Sequence, residues 1–100
     1  MAVVEISIVP LGTGTTSLST YVAACEKELR ENSEGLKYEL TAMGTIIEGD
    51  LDQILQLVRR LHEVPFNSDA KRVSTLIRID DRRDKEATIE HKVKAVEDKL

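Results

Sequence analysis

The chain has one cysteine, no tryptophan, three aromatic residues and two prolines in 100 positions. The lone thiol, Cys25, excludes an internal disulfide and any multi-cysteine metal cluster, and it fits a reducing compartment. No apolar run approaches the ~20 residues of a membrane-spanning helix. The opening Met1-Ala2-Val3-Val4-Glu5 reaches an acid without a basic leader. The expectation is a cytoplasmic protein with no membrane partner. Basic residues are outnumbered, 14 against 18 acidic, for a net charge of −4. That field repels phosphate backbones, so nucleic acid is not an expected partner.

What remains is the composition of a globular protein, 41% hydrophobic and 32% charged. Residues 1–100 make a single domain whose core is small enough to benefit from a partner subunit. Val4, Ile6 and Ile8 alternate with Val3, Glu5, Ser7 and Val9, which predicts a strand over 3–9 that Pro10 ends. Ser17 is placed to cap a helix whose apolar stripe is Leu18, Val22, Cys25 and Leu29. Glu26 and Arg30 add an ion pair at helical spacing. Asn32 to Gly35 stop that helix. Alternation predicts a second strand over 37–43, Gly44 a turn or bulge, and 45–48 a short third strand.

Asp50 then caps a second helix with Gln53 as its reciprocal partner. The stripe of that helix is Leu51, Ile54, Leu55, Val58 and Leu61, and Pro65 ends it at Val64. Val73, Thr75, Ile77 and Ile79 mark one face of a fourth strand. A last helix from Asp84 carries Ile89, Val93, Val96 and Leu100 on a seam too narrow for a core helix. The order is that of an α+β, ferredoxin-like βαββαβ sandwich with an extra C-terminal helix. Two helices cover one sheet face. The other face offers Val3, Glu5, Ser7, Val9, Leu76 and Arg78, a mixture that calls for a partner.

Two segments combine flexible backbone with hydroxyls, Pro10-Leu11-Gly12-Thr13-Gly14 and Gly44-Thr45-Ile46-Ile47-Glu48-Gly49-Asp50. Neither holds a Lys, Cys or His. They suit hydrogen bonding to a small neutral or cationic molecule better than catalysis or metal binding. Residues 10–17 lack the arginine of an acylphosphatase-like phosphate cradle. Strands 3–9 and 45–48 lack the aromatic platforms of an RNA-recognition module. A metallochaperone needs paired cysteines. His62 and His91 stand apart from each other on helices, and in the run Asp80 to Asp84 the cations Arg82 and Arg83 neutralise a would-be magnesium site. That run reads as a strand exit and helix cap. No catalytic residue and no metal site is expected.

Val9-Pro10-Leu11-Gly12-Thr13, Ser17, Val22, Tyr38, Gly44-Thr45-Ile46-Ile47-Glu48-Gly49, Arg72-Val73 and Ile77-Arg78-Ile79-Asp80 with Arg82 and Asp84 occur in this order. Together they resemble the small thiamine-binding protein family of the YkoF-like superfamily, over about residues 3–84. The resemblance implies subunits that pair edge to edge, two pairs packing sheet to sheet as a homotetramer. It also implies binding of thiamine or its hydroxymethylpyrimidine part at an oligomer interface without turnover, so no enzyme and no cofactor beyond the bound ligand. Carried over by position, Thr13, Ser17, Thr45 and Glu48 are its ligand-facing residues; Ser7, Glu39 and Thr41 are added from strand geometry alone.

Each of these residues has a structural reading beside the functional one. Glu48 fits a pairing with the aminopyrimidine or thiazolium, and equally a role at a helix N-terminus or in an ion pair. Thr13 and Ser17 fit helix capping, Thr45 a plain strand position, and Glu5, Glu39 and Arg78 an interfacial ion-pair set. Cys25 fits a small buried hydrophobe. The competing function is a structural or regulatory assembly subunit with no small-molecule ligand.

Overall fold

The β-branched alternation at the start of the chain becomes a nine-residue strand at the centre of the sheet. The computed structural model describes residues 1–85 and 88–100. Its elements are β1 (Ala2–Pro10), α1 (Ser19–Asn32), β2 (Lys37–Leu40), β3 (Thr45–Gly49), α2 (Leu51–Asn67), β4 (Val73–Asp81) and α3 (Ile89–Glu97). The strands lie in the order β2-β3-β1-β4 with antiparallel neighbours throughout. This is the ferredoxin-like arrangement, with α3 as the additional C-terminal helix.

Alternation along β1 sends Val4 and Ile6 into the core, where Ile47 of β3 and Leu29 of α1 meet them. Helix α2 adds Ile54, Leu57, Val58 and Leu61. The face it turns to the sheet runs through Leu57, three residues after Ile54, and Leu55 of the expected stripe points outward. On the opposite sheet face Val3, Glu5, Ser7 and Val9 stand across from Asp80, Arg78, Leu76 and Ser74. Leu76 there is 68% exposed. Helix α3 touches a corner of this face: the Ile89 N–H donates to the Glu48 carboxylate over 2.6 Å, and the Lys92 ammonium pairs with Asp80. Val93, Val96 and Leu100 of its seam remain exposed.

Several boundaries differ from the pattern of the sequence, each for a local reason. The second strand stops at Leu40, because Thr41 closes a turn: its hydroxyl donates to the Gly44 carbonyl (2.8 Å) and accepts from the Met43 and Gly44 N–H groups. Ser17 does not cap α1. The helix starts at Ser19 with Leu18 in the cap position and no side-chain cap, while the Ser17 N–H is held by the Thr15 hydroxyl. Asp50 caps α2 by accepting from the Gln53 N–H, but the Gln53 amide reaches the Glu34 carbonyl (2.9 Å) in place of the reciprocal bond. Pro65 lies inside the last turn of α2, buried, and its carbonyl accepts from Ser68 and Ala70. Helix α3 begins at Ile89 under a Thr88 cap that accepts from the His91 N–H. Asp84 is bonded to Arg82. The helix start predicted at Asp84 runs through Glu86 and Ala87, which lie outside the described residues.

The partner strands of β1 differ in length. Pairing with β4 runs from Ala2↔Asp81 to Pro10↔Val73, whereas pairing with β3 runs only from Ala2↔Gly49 to Ile6↔Thr45. From Ser7 onward β1 therefore has a strand neighbour on one side. The β2–β3 turn is pressed against the point where pairing stops, since a Cβ built on Gly44 would lie 2.4 Å from the Ile6 carbonyl oxygen. Only glycine fits there without moving backbone. Gly44→Ala is expected to lower stability by about 1–3 kcal/mol, the usual cost of forced overpacking, with urea unfolding as the measure. An unchanged midpoint would mean that the turn does not lie against β1.

Candidate functional site

Where β3 leaves β1, a cavity of about 190 Å³ opens between the sheet and α1. Ile6, Ser7, Ile8 and Val9 of β1 form its floor, and Leu18, Val22, Cys25, Glu26 and Leu29 its helical wall. The turn from Leu40 to Thr45 forms its rim. The α1 stripe expected to be core is thus only partly buried: Leu29 is covered, Cys25 half covered, and Val22 is 42% exposed. Met43, on the rim, is 83% exposed. The lining is mainly apolar and carries no Lys or Arg.

Three of the seven predicted site residues, Ser7, Thr41 and Thr45, line this cavity. The other four lie elsewhere. Thr13 borders a shallow depression with Tyr21, Lys71 and Arg72, and its hydroxyl donates to the Thr15 carbonyl (3.0 Å). Ser17 is exposed in the same loop. Glu39 is exposed on β2, paired with Ile46 of β3. Glu48 is 6% exposed, accepts from the Ile89 N–H, and has the Lys37 ammonium 3.9 Å from its other oxygen. The helix N-terminus that Glu48 serves is that of α3, far along the chain, and not that of the adjoining α2. Within the cavity the Thr41 hydroxyl is already committed to its turn.

One acidic residue, Glu26, is among those that line the cavity. Its Oε2 is buried without a hydrogen-bond partner, the sole such side-chain atom among the described residues. Its Oε1 has only the Arg30 guanidinium at 3.9 Å, on a side chain open to water and therefore a weak partner. Glu26 lies four residues after Val22 and three before Leu29, so helical spacing alone puts it on the apolar stripe. That was the available signal; the ion pair with Arg30 masked it. Cys25 beside it points its thiol toward the Leu61 carbonyl at 3.9 Å. Burial, with help from the Glu28 charge, pushes that thiol up to about 11. It is a packing group at neutral pH and no nucleophile. His62 is half buried on α2 with Nδ1 2.7 Å from the Thr75 hydroxyl. Among the described residues no three His, Cys, Asp or Glu side chains are grouped to hold a metal ion, and no helix is long and apolar enough to cross a membrane.

The family model described as thiamine-binding protein matches residues 4–97. The chain belongs to the thiamine-binding protein family. That description is of a binding protein. Among relatives, the YqgV protein of Bacillus subtilis is 47% identical over 98 residues, covering 96% of this chain and 94% of its own. The solved structure of hypothetical protein MJ1052 from Methanocaldococcus jannaschii superimposes with a TM-score of 0.87 at 44% identity, covering 96% of this chain and 95% of that one. A putative thiamine biosynthesis/salvage protein from Thermotoga maritima superimposes with a TM-score of 0.74 at 28% identity, over 95% of this chain and 97% of that one.

With one oxygen bonded to the Ile89 N–H, Glu48 is a fastener of α3 to the sheet; the Lys37 ammonium, 3.9 Å away on a side chain open to water, adds little. Glu48→Ala is expected to cost about 1.5–3 kcal/mol, the range for a hydrogen bond to a charged group, and to speed amide hydrogen exchange in α3 before the rest of the chain. Equal exchange rates in parent and variant would show that the helix is held by other contacts.

Proposed function

We propose that the protein binds thiamine, or its hydroxymethylpyrimidine part, without turning it over, and that the ring sits in the cavity between β1, α1 and the β2–β3 turn. The observation that carries this reading is the cavity itself, within a chain of the thiamine-binding family. An apolar cavity of ~150 Å³ is enough for a benzene ring, whereas whole drug-sized ligands occupy ~300 Å³ or more. A volume of about 190 Å³ suits one substituted six-membered ring, with the thiazolium left at the open mouth. The unpaired β1 edge at Ser7 to Val9 offers backbone donors and acceptors to ring nitrogens, and apolar side chains from α1 face the floor. Thr45 belongs to this reading as a side-chain contact, and Ser7, whose side chain lies on the opposite sheet face, through its backbone at the unpaired edge. Thr41 shapes the rim, and Thr13, Ser17, Glu39 and Glu48 have other partners or positions.

The same reading includes self-association as a homotetramer, a dimer of dimers, in the cytoplasm. Leu76, Ile77 and Ile79 are exposed along β4, a nine-residue edge strand, and unpaired edges of that length with apolar side chains favour a second copy. The exposed Val22, Leu40 and Met43 around the mouth would be covered by a neighbouring subunit, which would close the cavity. An assembly subunit without a ligand is disfavoured because such a role leaves an open cavity without a purpose.

Thiamine or hydroxymethylpyrimidine at saturating concentration is expected to raise the melting temperature by at least ~4 °C, as selective binding to the folded state requires. Val22→Trp, which fills the cavity from a partly exposed position, is expected to abolish the shift while the empty protein still melts cooperatively. No shift in the parent with either compound would refute the binding reading. Light scattering is expected to give a tetramer mass for the parent and a smaller species for Leu76→Asp, which would bury an unpaired charge; a parent that runs as a monomer would refute the assembly.

A further inference from the structure

We propose that subunits pair through β4 in one register, two antiparallel copies of the strand meeting about a two-fold axis at Leu76. This rests on the self-association part of the reading above and adds which edge pairs and which residues meet. The sheet has two free edges, β2 and β4. β2 has four residues, of which Lys37, Glu39 and Leu40 are exposed, whereas β4 has nine. β4 also carries exposed apolar side chains on both faces, Leu76 on the bare face and Ile77 and Ile79 on the face toward α2. An edge of that length and character is a template for a further strand, and a second copy supplies one.

Charge selects the register. Side chains opposite each other in a sheet share a face, so the axis passes through a residue and not between two. With the axis at Leu76 the two leucines meet on the bare face, while Thr75 meets Ile77 and Val73 meets Ile79 on the helix face. Beyond them Arg72 faces Asp80 and Lys71 faces Asp81, and symmetry repeats each pair. An axis at Thr75 instead sets Arg72 against Arg78 and Asp69 against Asp81; one at Ile77 sets Arg72 against Arg82 and Lys71 against Arg83. At Arg78 two arginines meet. Like charges directly opposite oppose pairing. Axes at Ser74 or Ile79 use only part of the strand and set Leu76 opposite Arg72 or Arg82. The charged ends are placed to take part. The Arg72 carbonyl accepts from the Leu11 N–H, which keeps the chain beside β1 before Val73. Among the described residues Lys71 and Arg72 make no ion pair within the subunit. Asp80 and Asp81 meet Lys92 and Arg83 through Oδ2, and Oδ1 of each is left for a cation of the second copy.

Disulfide trapping on the full chain tests the register. Leu76→Cys is expected to give a covalent dimer under mild oxidation, because residues opposite each other have Cα atoms ~4.5–5.5 Å apart, within the ~4.4–6.8 Å of a disulfide. In Ser74→Cys and Arg78→Cys each thiol is displaced from its own copy by four positions, ~13 Å along the strand, and no covalent dimer should form. The parent is the control, since its Cys25 is half buried with the thiol toward Leu61. Cross-linking at Ser74 or Arg78 in place of Leu76, or at Tyr38→Cys on β2 with none at Leu76, overturns the proposal while self-association stands. A parent that is monomeric by light scattering refutes the assembly reading itself. Charge reversal gives a second readout: Arg72→Asp is expected to raise the dissociation constant of the assembly at least about tenfold by setting an acid against Asp80. Adding Asp80→Arg recreates the pair in both copies and should restore the parent value. A double variant as weak as Arg72→Asp alone overturns the proposed pairing of these two residues, and with it the register.

Discussion

The inequality between the two partners of β1 controls the structure around the site. β4 follows the central strand for nine residues and β3 for five, because β3 enters the sheet through a tight turn that ends at Gly44. The missing pairs leave the β1 edge from Ser7 onward without a strand, and α1 crosses above the gap without filling it. A cavity is what remains when a sheet ends early under a helix that continues. Its walls are the apolar side chains that would have packed against the absent strand residues. The turn that creates the gap is itself secured by one hydroxyl, that of Thr41, serving three backbone groups, and by the absence of a side chain at Gly44.

Two carboxylates beside the sheet, Glu48 buried and Glu26 partly so, show how position decides chemistry. Glu48 lies on the open face of the sheet, where the first turn of α3 brings a backbone N–H and β2 brings an ammonium. Its charge is spent on holding a helix that has few other attachments, since the apolar side chains of α3 remain largely in water. Glu26 lies on the helix side of the sheet among aliphatic groups, and its inner oxygen meets no donor. Both are acidic residues beside apolar stretches, and only their neighbours in space separate a structural fastener from a carboxylate with one bare oxygen. The raised pKa of Cys25 belongs to the same apolar environment: burial there, with the Glu28 charge, keeps the thiol neutral.

The sheet and the two covering helices were legible because their signals are periodic and local. Alternation in residues 3–9 and 73–80 marks strands with one face inward, and Asp50 announces the helix that follows it. The elements fall in an order that allows few topologies. Helix ends were less legible. Ser17 has the chemistry of a cap and is not one, because the loop turns on Thr15 before the helix begins; Thr88, equally suited, caps α3. Pro65 ends a helix by rule and here sits inside one, where it withdraws the N–H that the Leu61 carbonyl would accept; the Cys25 thiol points at that carbonyl.

The sequence by itself determined the fold class, the family and the absence of cationic or thiol chemistry from the loops, because these depend on residue type and spacing along the chain. It named Ser7, Thr41 and Thr45 as site residues, and only the fold set them around one cavity. Only the tertiary structure decided that the gap beside β1 lies under α1, that Glu48 is claimed by a helix 41 residues away, and that Glu26 is left with a bare oxygen. A hydrogen-bond partner is a fact about distance in space. No periodicity records which acceptors the folded chain satisfies and which it leaves for something else.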